Sequence, residues 1–187
     1  MKIKSDADPE ELTSPFYKAN QDFCSEFESF ISTKNGKVKG KYNAWSYIIY
    51  GKISNPKNWD LLYKKSTFSS TGNLFISSKK QCLLVLAEWS TKIPGNHNSK
   101  FKIRKRERLD FIKLLFNKNL SKLELSNDYI IYSNGHSIKL FAEINNVLKS
   151  LFLSKEIFAI EFNNDKLTVE LRTEKHHFDI FNKLIEL

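Results

Sequence analysis

The sequence predicts an α+β fold: antiparallel sheet with an N-terminal amphipathic helix and further helices between hairpins. Three observations carry this. Phe16, Phe23, Phe27, Phe30 and Ile31 recur at helical spacing near the start. From Lys37 onward the apolar period changes to two. Residues 157–162, the triplet Asn163-Asn164-Asp165 and residues 167–171 then read as a β-hairpin, with Leu167, Val169 and Leu171 inward.

Taken in order, residues 1–14 are polar and read as a loose segment, leaving 15–187 as a single α+β domain. The first helix stops at Asn35-Gly36. Its stripe is a core face or, left uncovered, a self-association face that would make a homo-oligomer through Phe16 to Ile31. Trp45, Tyr47, Ile49 and Ile53 then fall on one side of a strand, with Ile48 and Tyr50 on the other. Ser54-Asn55-Pro56-Lys57-Asn58 is a turn, and 59–63 reads as a short helical turn or an irregular edge. Strands are expected at 74–76 and 82–89, a loop at 93–99, and a further strand at 101–104. Leu109, Ile112, Leu115 and Phe116 mark a short amphipathic helix. Two strands, 123–125 and 129–132, flank a turn at Ser126-Asn127-Asp128. Ser137 reads as the N-cap of a helix with Ile138, Phe141, Leu148, Leu151 and Phe152 on its buried stripe. A last helix carries Phe178, Phe181, Leu184 and Ile185. Charge and element order both change near 117–121, which is a sub-boundary or a connection within one domain.

Charge is unevenly distributed. Residues 34–122 hold 20 Lys/Arg against 4 Asp/Glu, whereas 1–33 carry a net −4 and 123–187 a net −3. A basic middle between acidic ends predicts a face that attracts an anionic partner. The sharpest cluster is Lys100, Lys102, Arg104, Lys105, Arg106 and Arg108, which holds three of the four arginines. The planar guanidinium fork suits phosphate, so these six are the candidate anion-binding residues. Two readings compete: a ligand site leading into a helix N-terminus, or an edge strand protected by charge. If they bind an anion, replacing Arg104, Arg106 and Arg108 together weakens binding without unfolding. Trp45, Trp59 and Trp89 all lie in the basic segment and are candidates for an aromatic surface.

Catalytic signatures do not emerge. No phosphate-binding glycine loop, dinucleotide fingerprint or nucleophile elbow occurs. His97, His136, His176 and His177 have no metal-ligand spacing, and they read as exposed or locally bonded. Cys24 and Cys82 read as buried, reduced thiols. Asp60 and Glu88, each beside a tryptophan in the basic half, read as ion-paired acids rather than proton donors. The expectation is a noncatalytic protein that needs no metal or cofactor. The charged residues 1–9 are not an export signal, and no apolar run approaches the ~20 residues of a membrane helix. A cytoplasmic protein is expected.

Leu123-Glu124-Leu125, Tyr129-Ile130-Ile131-Tyr132, the helical segment 138–152, Ile160-Glu161-Phe162, the Asn163-Asn164-Asp165 turn and Leu167-Thr168-Val169 succeed one another as strand, strand, helix and hairpin. This C-terminal third resembles a bacterial membrane-associated domain family of unknown function, whose members often carry two transmembrane helices ahead of a soluble α+β domain. The chain departs from that family in lacking the paired helices and in carrying Asn134-Gly135-His136 where acidic residues are expected. The resemblance implies a place peripheral to the inner face of a membrane and brings no catalytic residues. The function expected is a noncatalytic binding or interaction module, using the basic segment 34–122 for an anionic partner such as a membrane surface or an acidic protein. A structural or assembly protein is the first alternative, and single-stranded nucleic-acid binding the second.

Overall fold

The computed structural model describes residues 2–68, 82–94, 100–134 and 138–187. Ten strands and five α-helices occur among them, which makes the fold α+β. The chain divides into two compact units. The first holds Met1–Glu88 with Thr173–His176, and the second Trp89–Arg172 with His177–Leu187.

The first unit begins with β1 (Ile3–Ser5), a 3-10 turn (Pro9–Thr13) and α1 (Pro15–Thr33). Within residues 2–14, β1 and the 3-10 turn are regular elements. Strand β1 pairs parallel to β2 (Lys37–Tyr42), with Ile3 opposite Gly40. The Glu11 carboxylate accepts from the Asp8 backbone N–H at 2.9 Å, and the Tyr17 hydroxyl bonds the Ser5 hydroxyl at 3.1 Å. A polar segment gains order by completing a sheet edge, which its own composition does not reveal. Ser14 caps α1 by accepting from Phe16 N–H, with Pro15 next. The helix ends in a Schellman arrangement: Gly36 N–H bonds Ile31 C=O, Asn35 N–H bonds Ser32 C=O, and Asn35 takes a φ of 52°.

Cys24, Phe27 and Ile31 of α1 are buried against β2 and β3 (Tyr47–Ile53). Gly51 permits the approach: a Cβ there would lie 2.7 Å from Phe27 Cζ and 2.8 Å from Ile31 Cδ1. Burying Phe27 and Ile31 contributes roughly 2–3 kcal/mol each. Strand β4 (Trp59–Phe68) pairs with β3 in register, Ile53 opposite Trp59. The short helical turn or irregular edge expected at 59–63 is therefore a regular strand between β3 and β5 (Cys82–Lys92). Trp59, Leu61 and Tyr63 alternate inward, a period of two that local turn residues obscure. The unit's sheet order is β1-β2-β3-β4-β5, and β5 (Cys82–Lys92) runs on into the second unit. The strand expected at 74–76 lies outside the described residues.

The second unit contains β6 (Phe101–Lys105), α2 (Asp110–Phe116), β7 (Leu120–Leu123), β8 (Ser126–Ser133), α3 (Ile138–Val147), α4 (Lys149–Leu153), β9 (Ile157–Asn163), β10 (Lys166–Leu171) and α5 (Phe178–Ile185). Its order is β10-β9-β6-β8-β7, every neighbouring pair antiparallel. The β9–β10 hairpin closes on Asn164 and Asp165, with φ of 51° and 61°, a turn whose twist matches the strands. The β7–β8 turn falls at Glu124-Leu125, not at Ser126-Asn127-Asp128. Those three polar residues are extended, and Ser126 pairs with Leu123 beside a register shift. The helix expected over 138–152 is two, breaking at Leu148. Ile144, Leu148, Leu151 and Phe152 are buried with Ile103, Ile160 and Phe162 to form the core. Trp89 meets Phe181 edge-on at 5.2 Å, and Tyr129 meets Phe152 at 5.1 Å. Residues 117–119 connect α2 to β7 within this unit.

Candidate functional site

The basic cluster begins on β6, whose alternation turns Phe101 and Ile103 inward and leaves Lys102 and Lys105 exposed. Strand β6 lies between β9 and β8, so it is not the charge-protected edge that alternation alone suggested. Lys102 is engaged by Glu161 on β9 at 3.0 Å. Arg104 is engaged more tightly. Its two terminal nitrogens donate to the two oxygens of Asp110 at 2.7 and 2.8 Å, and one also donates to Lys105 C=O at 2.9 Å.

Asp110 is fully buried at the start of α2 and also accepts from Glu107 N–H at 2.6 Å. The Arg104 hydrogen bonds hold its carboxyl well below the usual carboxylate range, with the Glu107 N–H and Lys113 adding to the effect. The guanidinium of Arg104 is correspondingly raised by Asp110. The anion that offsets the cations at this helix start is thus the chain's own Asp110. Arg104 is a structural residue, so the triple arginine replacement would disturb folding as well as any anion binding. A basic run with an aspartate six residues after Arg104 carries the signal for such an internal pair, and the β6–α2 connection brings the two together.

The remaining cluster residues, Lys100, Lys105, Arg106 and Arg108, are exposed. Arg106 N–H bonds Asp128 C=O at 2.8 Å, which fixes the 105–109 connection against β8. The Asp128 carboxyl is lowered chiefly by its bond to Lys155, with Arg106 and Lys105 contributing.

Helix α2, next in the chain, gives the cluster its character. On a 3.6-residue turn, Phe111, Ile112, Leu115 and Phe116 share one face of α2, and Asp110 and Leu114 share the opposite one. The face that carries Asp110 is the one turned inward. Leu109, Phe111, Ile112, Leu115 and Phe116 are between 44% and 82% exposed. The helix is amphipathic as expected, with its apolar stripe in water. Arg106, Arg108, Lys113, Lys118 and Lys122, all exposed, border it in sequence. The exposed apolar face of α2 thus falls within the basic stretch of the chain, which the charge pattern alone did not reveal.

The tryptophans divide. Trp45 is 51% exposed, whereas Trp59 at 3% and Trp89 at 0% are core residues. Inward strand positions claim both buried rings, so no aromatic surface of three tryptophans forms. Stacking of single-stranded bases requires exposed rings, and of the three only Trp45 offers one. Among the acids, Asp60 is exposed opposite Lys52 on β3, and Glu88 is half-buried in β5.

Cys24 is buried and its thiol is pushed up to about 12, mainly by burial. His176 stacks on Phe23 with ring centroids 3.7 Å apart, and its Nε2 lies 3.0 Å from Phe23 C=O. His177 Nε2 meets Glu156 at 2.7 Å. His97, His136 and the Ser137 cap lie outside the described residues. Among the described residues no group of three or more His, Cys, Asp or Glu could hold a metal ion. A cleft of about 390 Å³ in the second unit is lined by Phe101, Leu123, Ile131, Phe141 and Asn145, with Lys122 and Glu124 as its ionisable residues.

No helix among the described residues is long and apolar enough to cross a membrane. Comparison with protein-family models, curated proteins and solved structures found no match to this chain.

Proposed function

We propose that this protein is a noncatalytic interaction module that docks on an anionic membrane surface through the second unit. The observation that carries the reading is the outward apolar face of α2, in a stretch of chain that also holds exposed Arg106, Arg108, Lys118 and Lys122. Five large apolar side chains in water are a liability unless a partner covers them. A helix with an apolar ridge and a basic border lies in the headgroup region, its ridge reaching roughly 5–10 Å inward. The two contributions are comparable. Each cation near an anionic leaflet contributes about 1 kcal/mol, and each apolar side chain fully buried about 1.5–3 kcal/mol. Together they give reversible, salt-sensitive binding.

The test is co-sedimentation with vesicles of phosphatidylcholine, alone or mixed with phosphatidylglycerol. Binding is expected to the mixed vesicles only, and to weaken as salt rises. Leu115→Asn with Phe116→Ser is expected to weaken it at least ~10-fold, because two of the ridge side chains are lost. Arg106→Gln with Arg108→Gln is expected to weaken it and flatten its salt dependence. Undiminished binding by the ridge variant, or none to the anionic vesicles, would overturn the reading.

A further inference from the structure

The sheet of the first unit has two unlike faces. One lies against α1: Tyr47 stacks on Phe23 at 4.7 Å, Tyr63 meets Phe27 edge-on at 5.2 Å, and Gly51 admits Phe27 and Ile31. The other face carries cations. The β2–β3 register sets Lys37 opposite Lys52, Lys39 opposite Tyr50 and Lys41 opposite Ile48. Next to these, β4 places Asp60 beside Lys52, Leu62 beside Tyr50 and Lys64 beside Ile48. On β1, Lys4 lies beside Lys41. Side chains alternate along a strand, so all of these project from the face away from α1. Lys4, Lys37, Lys39, Lys41 and Lys52 are exposed there, and Lys64 is half-buried. The acids beside them are Asp60 and, just past β1, Asp6, which pairs with Lys41 at 2.8 Å.

This pattern is costly to the unbound protein. Like charges directly opposite one another destabilise a sheet, and here Lys37 faces Lys52 and Lys4 flanks Lys41. A bound polyanion would remove that repulsion. A second observation points to a ligand as well. A cleft of about 160 Å³ is lined by Lys41, Ile48, Lys64 and Ser66, with Asn43 and Ser46 from the β2–β3 turn. The turn is fixed, since Asn43 Oδ1 accepts from Trp45 N–H at 3.0 Å and Ser46 N–H at 2.8 Å. Ser66 is 6% exposed, and its hydroxyl has no hydrogen-bond partner among the described residues. A buried donor left unused costs free energy, and an anion oxygen in the cleft would engage it.

We infer that this face binds single-stranded nucleic acid: the lysines take its phosphates, one phosphate seats in the cleft at Ser66, and a base stacks on Tyr50. The dimensions select this occupant. Lysines two positions apart on β2 are separated by roughly 6.4–6.8 Å and neighbouring strands by about 4.7–4.9 Å, so the set spans several phosphates. Tyr50, 38% exposed, sets a ring among the cations, with the Lys39 ammonium 5.3 Å from its centroid. Phosphate contacts combined with base stacking are how single strands are held without sequence preference. A membrane surface is disfavoured here, because the aliphatic residues of the face, Ile48 and Leu62, are half-buried and offer no ridge to insert. The inference is independent of α2, which belongs to the second unit.

Fluorescence anisotropy of labelled oligouridylate and oligothymidylate tests it, with circular dichroism to check the fold of each variant. Both are expected to bind, with a log–log salt slope of about −2 to −3, as three or four phosphate contacts on a single strand require. Lys37→Gln with Lys39→Gln and Lys52→Gln is expected to weaken binding at least ~10-fold and to make the slope shallower by about 2. Tyr50→Ala is expected to weaken it at least ~5-fold with the slope unchanged. Ser66→Ala, which removes a donor the unbound protein does not use, is expected to weaken binding without lowering thermal stability. No binding of either oligonucleotide at low salt, or full binding by the triple lysine variant, would overturn the inference. So would equal binding of polyglutamate together with an unaffected Tyr50→Ala variant, because charge alone would then be at work. The triple lysine variant is expected to bind anionic vesicles as the unmodified protein does, and the Leu115→Asn, Phe116→Ser variant to bind oligonucleotide undiminished. Loss of vesicle binding by the lysine variant, with no oligonucleotide bound, would assign the face to a membrane instead.

Discussion

Helix α1 presses Cys24, Phe27 and Ile31 onto β2 and β3, while helix α2 leaves Phe111, Ile112, Leu115 and Phe116 in water. Both helices carry an apolar stripe of similar spacing. The difference lies in the opposite face. In α1 that face holds exposed Lys18, Asp22 and Glu26, which remain solvated. In α2 it holds Asp110, whose carboxylate is bound by Arg104 and by Glu107 N–H. Turning α2 over would bring the apolar stripe inward only by breaking those bonds and moving a charge. The seven-residue α2 thus turns its Asp110-bearing face inward, whereas the nineteen-residue α1 buries Cys24, Phe27 and Ile31. Periodicity says that a helix has two faces, and the partners of its polar residues say which one is covered.

The largest expected effect tests this contrast directly. Phe27→Ala should destabilise the protein by about 3–5 kcal/mol, since it empties a fully buried site. Phe116→Ala should change stability by no more than about 0.5 kcal/mol. Urea denaturation of the two variants would reverse the comparison if Phe116→Ala proved as costly as Phe27→Ala. Next in size, Asp110→Ala should cost about 1–3 kcal/mol, because a buried carboxylate and its charge-assisted bonds are lost.

The pH dependence sharpens that result. The Asp110 carboxyl is depressed in the folded protein, from an ordinary value of 3.8. Its contribution is therefore complete above about pH 4–5 and drains away as pH falls below that range. Unfolding measured against pH should be less acid-sensitive in Asp110→Asn than in the unmodified protein. The smallest effect belongs to the first unit's turn. Asn43→Ala should cost about 1 kcal/mol by thermal denaturation, with three bonds to the Asn43 carboxamide removed from a partly solvated site.

Much of the fold is legible in the sequence. The stop at Asn35-Gly36, the Asn164-Asp165 hairpin, the central strand from Cys82 and the closing helix at Phe178 all rest on local signals. The departures arise where partners lie far away in sequence. Residues 3–5 become a strand only because Lys37–Tyr42 offers an edge. Trp59 to Tyr63 becomes a strand because Tyr47–Ile53 pairs with it. Of the candidate site, the cations are legible but their engagements are not. Lys102 is matched by Glu161, 59 residues away, and only the strand register brings the two together. The spacing of α2 marks it as amphipathic, but which way its ridge faces is decided by the Arg104–Asp110 pair. Trp59 and Trp89 resemble a surface in composition because composition counts rings without regard to strand parity.

The missing atom at Gly51 has a consequence for how the chain tolerates change. Position 51 faces Phe27 and Ile31 with no side chain of its own, and the clearance is too small for even a methyl group. A substitution scan would therefore find it among the most intolerant sites of β3, beside Ile49 and Ile53, although it buries nothing. Selection there acts on an empty volume. Relief from a larger residue at 51 would have to come from the other side of the contact, by shortening Phe27 or Ile31, so these three positions are expected to vary together.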